Sequence, residues 1–248
     1  MKITIKTNEQ IEKMRYAGKI LSDTLKMLEE HIFPGQTTLR LNDLAYKYII
    51  SQGAKPSFLN LDGFPYTICA SLNEQVVHGF CTDIPLKEGD IISIDCGVIW
   101  EGYHSDAART FPVGNVSLEK TKLINATKES FFAGIEGIKA GSRLGHISHR
   151  VQQYLEERGY GVVRELTGHG VGTDLHEDPL VPNYGNYNSG VVLQEGMTIA
   201  VEPMSTMGKR YVYLEDNDWT VTTEDHLPSA HYENTILITK DGVEILTL

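Results

Sequence analysis

The chain has 248 residues, 41% of them hydrophobic, with 33 acidic against 22 basic side chains and a net charge of -11. That length suits one domain, or two small halves fused around one core, and the composition is ample for a buried interior. A surface this acidic repels phosphate backbones, which argues against a specific nucleic-acid binder while leaving room for a local basic patch.

Residues 1–13 are charged and lack the apolar stretch of a signal peptide. No later run reaches the roughly 18 apolar residues that a membrane helix needs, so a soluble, cytoplasmic protein is expected. From Thr7, apolar residues fall at Ile11, Met14, Leu21, Leu25, Leu28 and Ile32, with Gly18 completing the spacing. This predicts one face of a long helix stopped by Pro34-Gly35. Leu41, Leu44, Ala45, Tyr48 and Ile49 predict a second helix that ends near Gly53. Residues 66–111 change to short β-type runs separated by turn residues. Another helix pair is predicted over 118–139 and 144–158, and strands and loops resume from Gly161.

The two helix pairs look related. A shift of 106 residues aligns Gly35 with Gly141, Leu41 with Ile147, Ala45 with Val151, Tyr48 with Tyr154, Ile49 with Leu155 and Gly53 with Gly159. Any two amphipathic helices share a periodicity, but matched glycines at both ends favour a duplicated unit. Two helix-helix-sheet halves, approximately 7–115 and 116–248, would pack their sheets together and leave a cleft between them. The three cysteines, Cys69, Cys81 and Cys96, form no Cys-x-x-Cys pair. They fit free thiols in a reducing compartment better than a disulfide framework or a cysteine-based zinc site.

Residues 91–100 read as a strand opened by Glu88-Gly89-Asp90, and Glu101-Gly102 offers a tight turn into a partner strand over 103–111. A two-residue loop places Asp95 opposite Ala108, so Asp106 lies on the same face as Asp95. Such diagonal neighbours sit roughly 7–8 Å apart, within reach of shared ions, and a one-residue slip would separate them. Glu202 and Glu233 interrupt strand-like runs over 197–204 and 231–238. His169 stands in Gly168-His169-Gly170-Val171-Gly172, where flanking glycines let the backbone approach closely. Each of these has a bland reading alone, as a salt bridge or a solvent-facing position. Four carboxylates and one histidine meeting in one cleft would instead need compensation, and two divalent cations would cancel the four negative charges. Oxygen-rich ligation with one imidazole suits manganese, iron, cobalt or zinc better than copper.

Asn73-Glu74-Gln75-Val76-Val77-His78-Gly79, Asp95, Asp106, Gly168-His169-Gly170-Val171-Gly172, His176-Glu177, Val201-Glu202-Pro203-Met204 and Glu233 stand in the order found in type I methionine aminopeptidases. The chain resembles that family over essentially its whole length. The resemblance implies a single α/β domain over 1–248 with the duplicated pita-bread fold around a central dinuclear metal cleft. It also implies Asp95, Asp106, His169, Glu202 and Glu233 as ligands of two divalent ions (cobalt, manganese, iron or zinc), with Asp106 and Glu233 bridging. Glu202 would carry the proton, His176 would stabilise the oxyanion and His78 would contact the scissile nitrogen. Phe64 and Cys69 would wall the methionine pocket, with Trp219 near its rim. The substrates would be amino termini of peptides or nascent proteins with a small second residue, met at the ribosome by a monomer. Three departures stand out: His231 where many relatives have glutamine, Asn234 where they have histidine, and Leu175 where many have an aromatic residue. With neither the eukaryotic zinc-binding extension nor the long insert of type II enzymes, the chain resembles the minimal bacterial form.

No Gly-x-Ser-x-Gly elbow is present, and Gly168-x-Gly170-x-Gly172 lacks the spacing of a dinucleotide loop. Two rivals remain. An Xaa-Pro-type peptidase of the same fold usually carries an additional amino-terminal domain, for which this chain has no space ahead of its first helix. A non-catalytic peptide-binding module should have lost ligands, whereas all five are here.

Overall fold

The computed structural model describes residues 3–248. Helix α1 (Asn8–Glu29) leads into α2 (Thr38–Ser51), then strands β1 (Lys55–Pro56), β2 (Ile68–Leu72), β3 (Gln75–Val77), β4 (Ile91–Trp100) and β5 (Tyr103–Pro112). Helices α3 (Leu118–Ile135) and α4 (Leu144–Glu156) follow. After them come β6 (Gly161–Val162), β7 (Gly168–Gly170), β8 (Glu177–Val181), β9 (Thr198–Val201) and β10 (Met204–Thr206). The chain closes with β11 (Val212–Leu214), β12 (Val221–Thr223), β13 (Ser229–His231), β14 (Asn234–Ile238) and β15 (Val243–Ile245).

Helices α1, α2 and α3 begin where a side chain satisfies a free N–H group of the first turn. Thr7 and Gln10 exchange side-chain hydrogen bonds across the first turn of α1, and Thr37 and Ser117 accept from the first turns of α2 and α3. The face predicted for α1 is the buried one, with Met14, Leu21 and Leu28 fully enclosed. The helix ends at Glu29, however, and Ile32 packs from the following turn. The residue before Pro34 is driven towards extended backbone, so the helix unwinds ahead of the proline. Helix α3 likewise stops at Ile135, short of the predicted 139, where Gly137 takes a positive φ of 66°.

Two assemblies of a helix pair on a sheet result. Helices α1 and α2 pack with β2, β4 and β5 around Leu21, Leu41, Ile92 and Ile94, while α3 and α4 pack with β9 and β14 around Phe131, Ile147, Ile199 and Ile236. The aligned positions behave alike. Leu41, Ala45 and Ile49 are buried, as are Ile147, Val151 and Leu155. Gly35 and Gly141 have φ of 95° and 92°, and Gly53 and Gly159 have 74° and 83°. The correspondence reaches beyond the helices. Thr37 bridges Pro85 as Arg143 bridges Val192, and Ala54 N–H donates to Ile49 as Tyr160 N–H donates to Leu155.

Strand β4 is flanked by β5 along its whole length and by β1 and β2 on its other edge. The second assembly carries a five-stranded sheet in the order β15-β14-β9-β7-β8. Its strand β14 meets β5, where Asp106 N–H donates to Thr235 Oγ1 and Glu233 N–H to the Ala108 carbonyl, at 2.9 and 3.0 Å. Two small three-stranded sheets, β13-β10-β6 and β11-β12-β3, close the remaining side. The cleft lies at the junction of these sheets.

Candidate metal centre

Hairpin register places the first two carboxylates. Glu101 and Gly102 both have positive φ, 45° and 82°, the geometry of a two-residue hairpin turn. Trp100 therefore pairs with Tyr103, Asp95 with Ala108 and Gly97 with Asp106. Asp95 and Asp106 are thus diagonal neighbours on one face, as the turn predicts.

The two glutamates sit at strand breaks. Glu202 lies where the chain leaves β9 for β10, and Glu233 where it leaves β13 for β14. The register that pairs Asn234 with Val201 on one side and Met204 with His231 on the other puts Glu202 opposite Glu233. Like charges placed so are destabilising unless a cation lies between them. His169 is the middle residue of β7, with its Nδ1 2.8 Å from the Gly170 carbonyl and its Nε2 facing the cleft. That Nε2 lies 3.6 Å from Asp106 Oδ2 and 3.7 Å from Glu202 Oε1. The glycines around it allow this packing. A Cβ on Gly168 would fall 2.3 Å from the Ala200 carbonyl, and one on Gly172 would fall 2.1 Å from Glu177 Oε1.

Asp95, Asp106, His169 and Glu233 are buried and Glu202 nearly so. Burial raises the Asp95 carboxyl to about 7 and that of Glu202 to about 8, and carries Asp106 and Glu233 well above the carboxylate range, their mutual repulsion adding to it. Burial also lowers His169 to about 4, leaving a neutral imidazole of the kind a metal binds. Asp95 Oδ1, Asp106 Oδ1 and Glu233 Oε1 are buried with no hydrogen-bond partner among the described residues. Donor atoms of Asp106, His169 and Glu233 all lie within 4.8 Å of one another. Unpartnered oxygens, four crowded carboxylates and one neutral imidazole fit divalent cations and little else.

The remaining predicted residues line the same cavity of about 310 Å³. Phe64, Cys69 and Leu175 are buried together with Phe58, with Trp219 packed beside them, giving one apolar end. Phe64 meets Trp219 edge to face at 5.1 Å. Cys69 pairs directly with Asp95 across β2 and β4, so this apolar end abuts the carboxylates. Burial keeps its thiol protonated. Leu175 fills its place in the wall without the aromatic ring that many relatives have there. His176 packs its ring 4.4 Å from that of His169, and His78, held at φ 56°, lies 6.4 Å from Trp219. All three cysteines are free, as read from the sequence, and all three are buried.

Sequence patterns missed the supports beneath the site. Lys6 forms a buried pair with Glu177 at 2.7 Å, and Glu177 Oε1 accepts the Thr173 N–H in the loop leading to His176. Arg109 donates to the Glu233 carbonyl and, at 2.7 Å, to Asn234 Oδ1. Asn234 thereby anchors the arginine where many relatives have histidine. Neither basic residue belongs to a local motif, since each partner lies far away along the chain.

Comparison with known proteins finds relatives over the whole chain. Residues 12–240 match metallopeptidase family M24. A methionine aminopeptidase of Clostridium perfringens is 52% identical over 246 residues, covering 99% of both chains. The crystal structure of methionine aminopeptidase from Rickettsia prowazekii superposes with a TM-score of 0.98 at 44% identity, covering all of both chains. Prolidase from Pyrococcus furiosus shares the fold at a TM-score of 0.79 and 26% identity, over 98% of this chain but 65% of that one.

Proposed function

We propose that this chain, which belongs to metallopeptidase family M24 and acts as a methionine aminopeptidase of pita-bread fold, uses two divalent ions to remove the initiator methionine from proteins with a small second residue. The observation that carries the reading is the convergence of four carboxylates and one neutral imidazole beside the apolar end of one cavity. Asp95, Asp106, His169, Glu202 and Glu233 would hold the ions, with Asp106 and Glu233 shared between them. Cobalt, manganese, iron and zinc all suit this donor set. When bound, such ions supply Lewis acidity and a hydroxide nucleophile near neutral pH.

The chain's own residues do the rest. Phe58, Phe64, Cys69, Leu175 and Trp219 enclose the methionine side chain, and the Cys69 thiol offers its thioether a soft, polarisable wall. Glu202 accepts a proton from the attacking water and returns it to the leaving amine, as a carboxylate at the edge of the cavity can. His176 donates to the oxyanion and His78 contacts the scissile nitrogen. The second substrate residue must fit between His78 and the carboxylates, which leaves space for glycine, alanine or serine. We place the activity in one catalytic domain over 1–248, duplicated as halves of approximately 7–115 and 116–248. Its setting is a monomer in the cytoplasm, meeting nascent chains at the ribosome. Free, buried thiols support a reducing compartment, and among the described residues no helix is long and apolar enough to cross a membrane.

A peptide series tests the assignment by varying positions one and two separately with at least two metals. Met-Ala and Met-Ser peptides should be cleaved and Met-Lys or Met-Phe rejected whichever metal is loaded. Norleucine should replace methionine, because small apolar changes in such pockets cost only ~1–3 kcal/mol. Efficient cleavage of Met-Lys peptides, or a requirement for proline second with any residue first, would overturn the assignment.

A further inference from the structure

His231 is an imidazole with no settled partner in a place where it cannot be idle. It ends β13 with 1% of its surface exposed, and neither ring nitrogen has a hydrogen-bond partner among the described residues. Its backbone is fixed. The His231 N–H donates to Thr110 Oγ1, and that hydroxyl donates back to the His231 carbonyl, both at 2.9 Å. Burial encloses the ring, with Nε2 3.5 Å from Glu202 Oε2 and 4.0 Å from Glu233 Oε2. The other Glu202 oxygen, Oε1, faces His169 Nε2 at 3.7 Å. The Glu202 carboxylate thus stands between two imidazoles, one oxygen towards each.

Tautomer chemistry separates the two roles that His231 could take. A neutral imidazole carries one N–H. If Nε2 ligated a metal, that hydrogen would sit on Nδ1, which is buried with no acceptor. An orphaned buried donor is the costlier defect, since unsatisfied N–H groups are rarer than under-used acceptors. With the hydrogen on Nε2 the ring has a carboxylate oxygen to donate to, and only a lone pair is left unpaired. We propose that His231 is a positioning residue that donates from Nε2 to Glu202 Oε2, so that Oε1 is turned towards His169 and the metals. The proposal rests on the reading of Glu202 as ligand and proton carrier. It assigns to the histidine that stands in place of glutamine the task of holding that carboxylate in one orientation.

His231→Leu removes the donor, and His231→Gln keeps an amide N–H in its place. Each variant is compared with wild type in cobalt affinity by calorimetry, in the visible spectrum of the cobalt-loaded protein, and in kcat and KM on Met-Ala-Ser. The Leu variant should bind cobalt roughly 10- to 100-fold more weakly, the usual cost of losing a hydrogen bond to a metal ligand. Its kcat should fall with KM little changed, and the Gln variant should recover affinity and spectrum to near wild type. Wild-type cobalt affinity and spectrum in the Leu variant would reduce His231 to packing and overturn the proposal. A Gln variant that melts like wild type when metal-free but shares the Leu variant's weak binding and altered spectrum would make His231 a ligand, also overturning it. Glu202→Gln separates failure of the parent reading: retained metal affinity and activity there would remove Glu202 from the centre, whatever His231 does.

Discussion

Replacing Lys6 with methionine strips the partner from a buried carboxylate next to His176. Lys6 and Glu177 lie 2.7 Å apart with their side chains 4% and 7% exposed. Breaking such a pair costs roughly 3–5 kcal/mol, because the stranded charge stays desolvated. Glu177 would keep the Thr4 hydroxyl at 2.5 Å and the Thr173 N–H at 2.9 Å, which places the cost near the lower bound, about 3 kcal/mol. That is about a 150-fold change in the folding equilibrium. It corresponds to a melting temperature lower by roughly 6–12 °C for a chain of this size. Urea unfolding of the metal-free protein should show it as a shifted midpoint at unchanged slope. The double variant Lys6→Met/Glu177→Gln should lose less than the two single losses added together, since no charge is left stranded. Because Glu177 Oε1 also holds the loop that leads to His176, Lys6→Met should lower kcat by roughly ten- to a hundredfold with metal content unchanged. A Lys6→Met protein within about 0.5 kcal/mol of wild type, the range of ordinary surface changes, would refute the reasoning.

Three further outcomes follow from the site. Asp106→Asn removes a carboxylate of the proposed centre, so turnover should vanish and metal analysis should show depleted binding while circular dichroism keeps the native spectrum. His176→Ala should lower kcat by about 10²–10³-fold, the scale for one lost oxyanion donor. Metal content should be unchanged in that variant, and equal loss of both would make His176 a ligand. Asp95 rises from 3.8 to about 7 and Glu202 from 4.5 to about 8, so the metal-free native state binds more protons than the unfolded chain. Their contribution to stability is full below pH about 4 and is lost as pH rises through 7 to 8. The metal-free melting temperature should therefore fall between pH 6.5 and 8, above the range in which the buried histidines, lowered to about 4, gain stability with rising pH. Added cobalt should reverse the fall and release protons that calorimetry in buffers of different ionisation enthalpy detects. A profile that is flat or rising without metal would contradict the assignment.

The proposed metal ligands were legible because each breaks a local pattern: an aspartate in an apolar strand, a glutamate in a strand-like run, a histidine among glycines. Their meeting followed from hairpin geometry for Asp95 and Asp106, where a two-residue turn fixes register. For Glu202 and Glu233 the only local signal is an interrupted run. That the two interruptions face each other depends on pairing between β9 and β14 and between β10 and β13, which no short-range pattern encodes. Lys6, Arg109 and Thr235 were not legible for the same reason: their partners lie 171, 125 and 129 residues away. Helix ends were misjudged where backbone rather than periodicity decides. Pro34 unwinds the end of α1, and α3 stops before Gly137 although apolar Ile138 prolongs the pattern.

The most direct test is methionine release from Met-Ala-Ser by wild type and Asp106→Asn, each first stripped with chelator and then titrated with cobalt or manganese. Stripped wild type should be inactive and should recover as metal is added, releasing free methionine and Ala-Ser, while Asp106→Asn stays inactive at every metal concentration. Undiminished methionine release from metal-free wild type, or recovery of Asp106→Asn alongside it, would contradict the account at its centre.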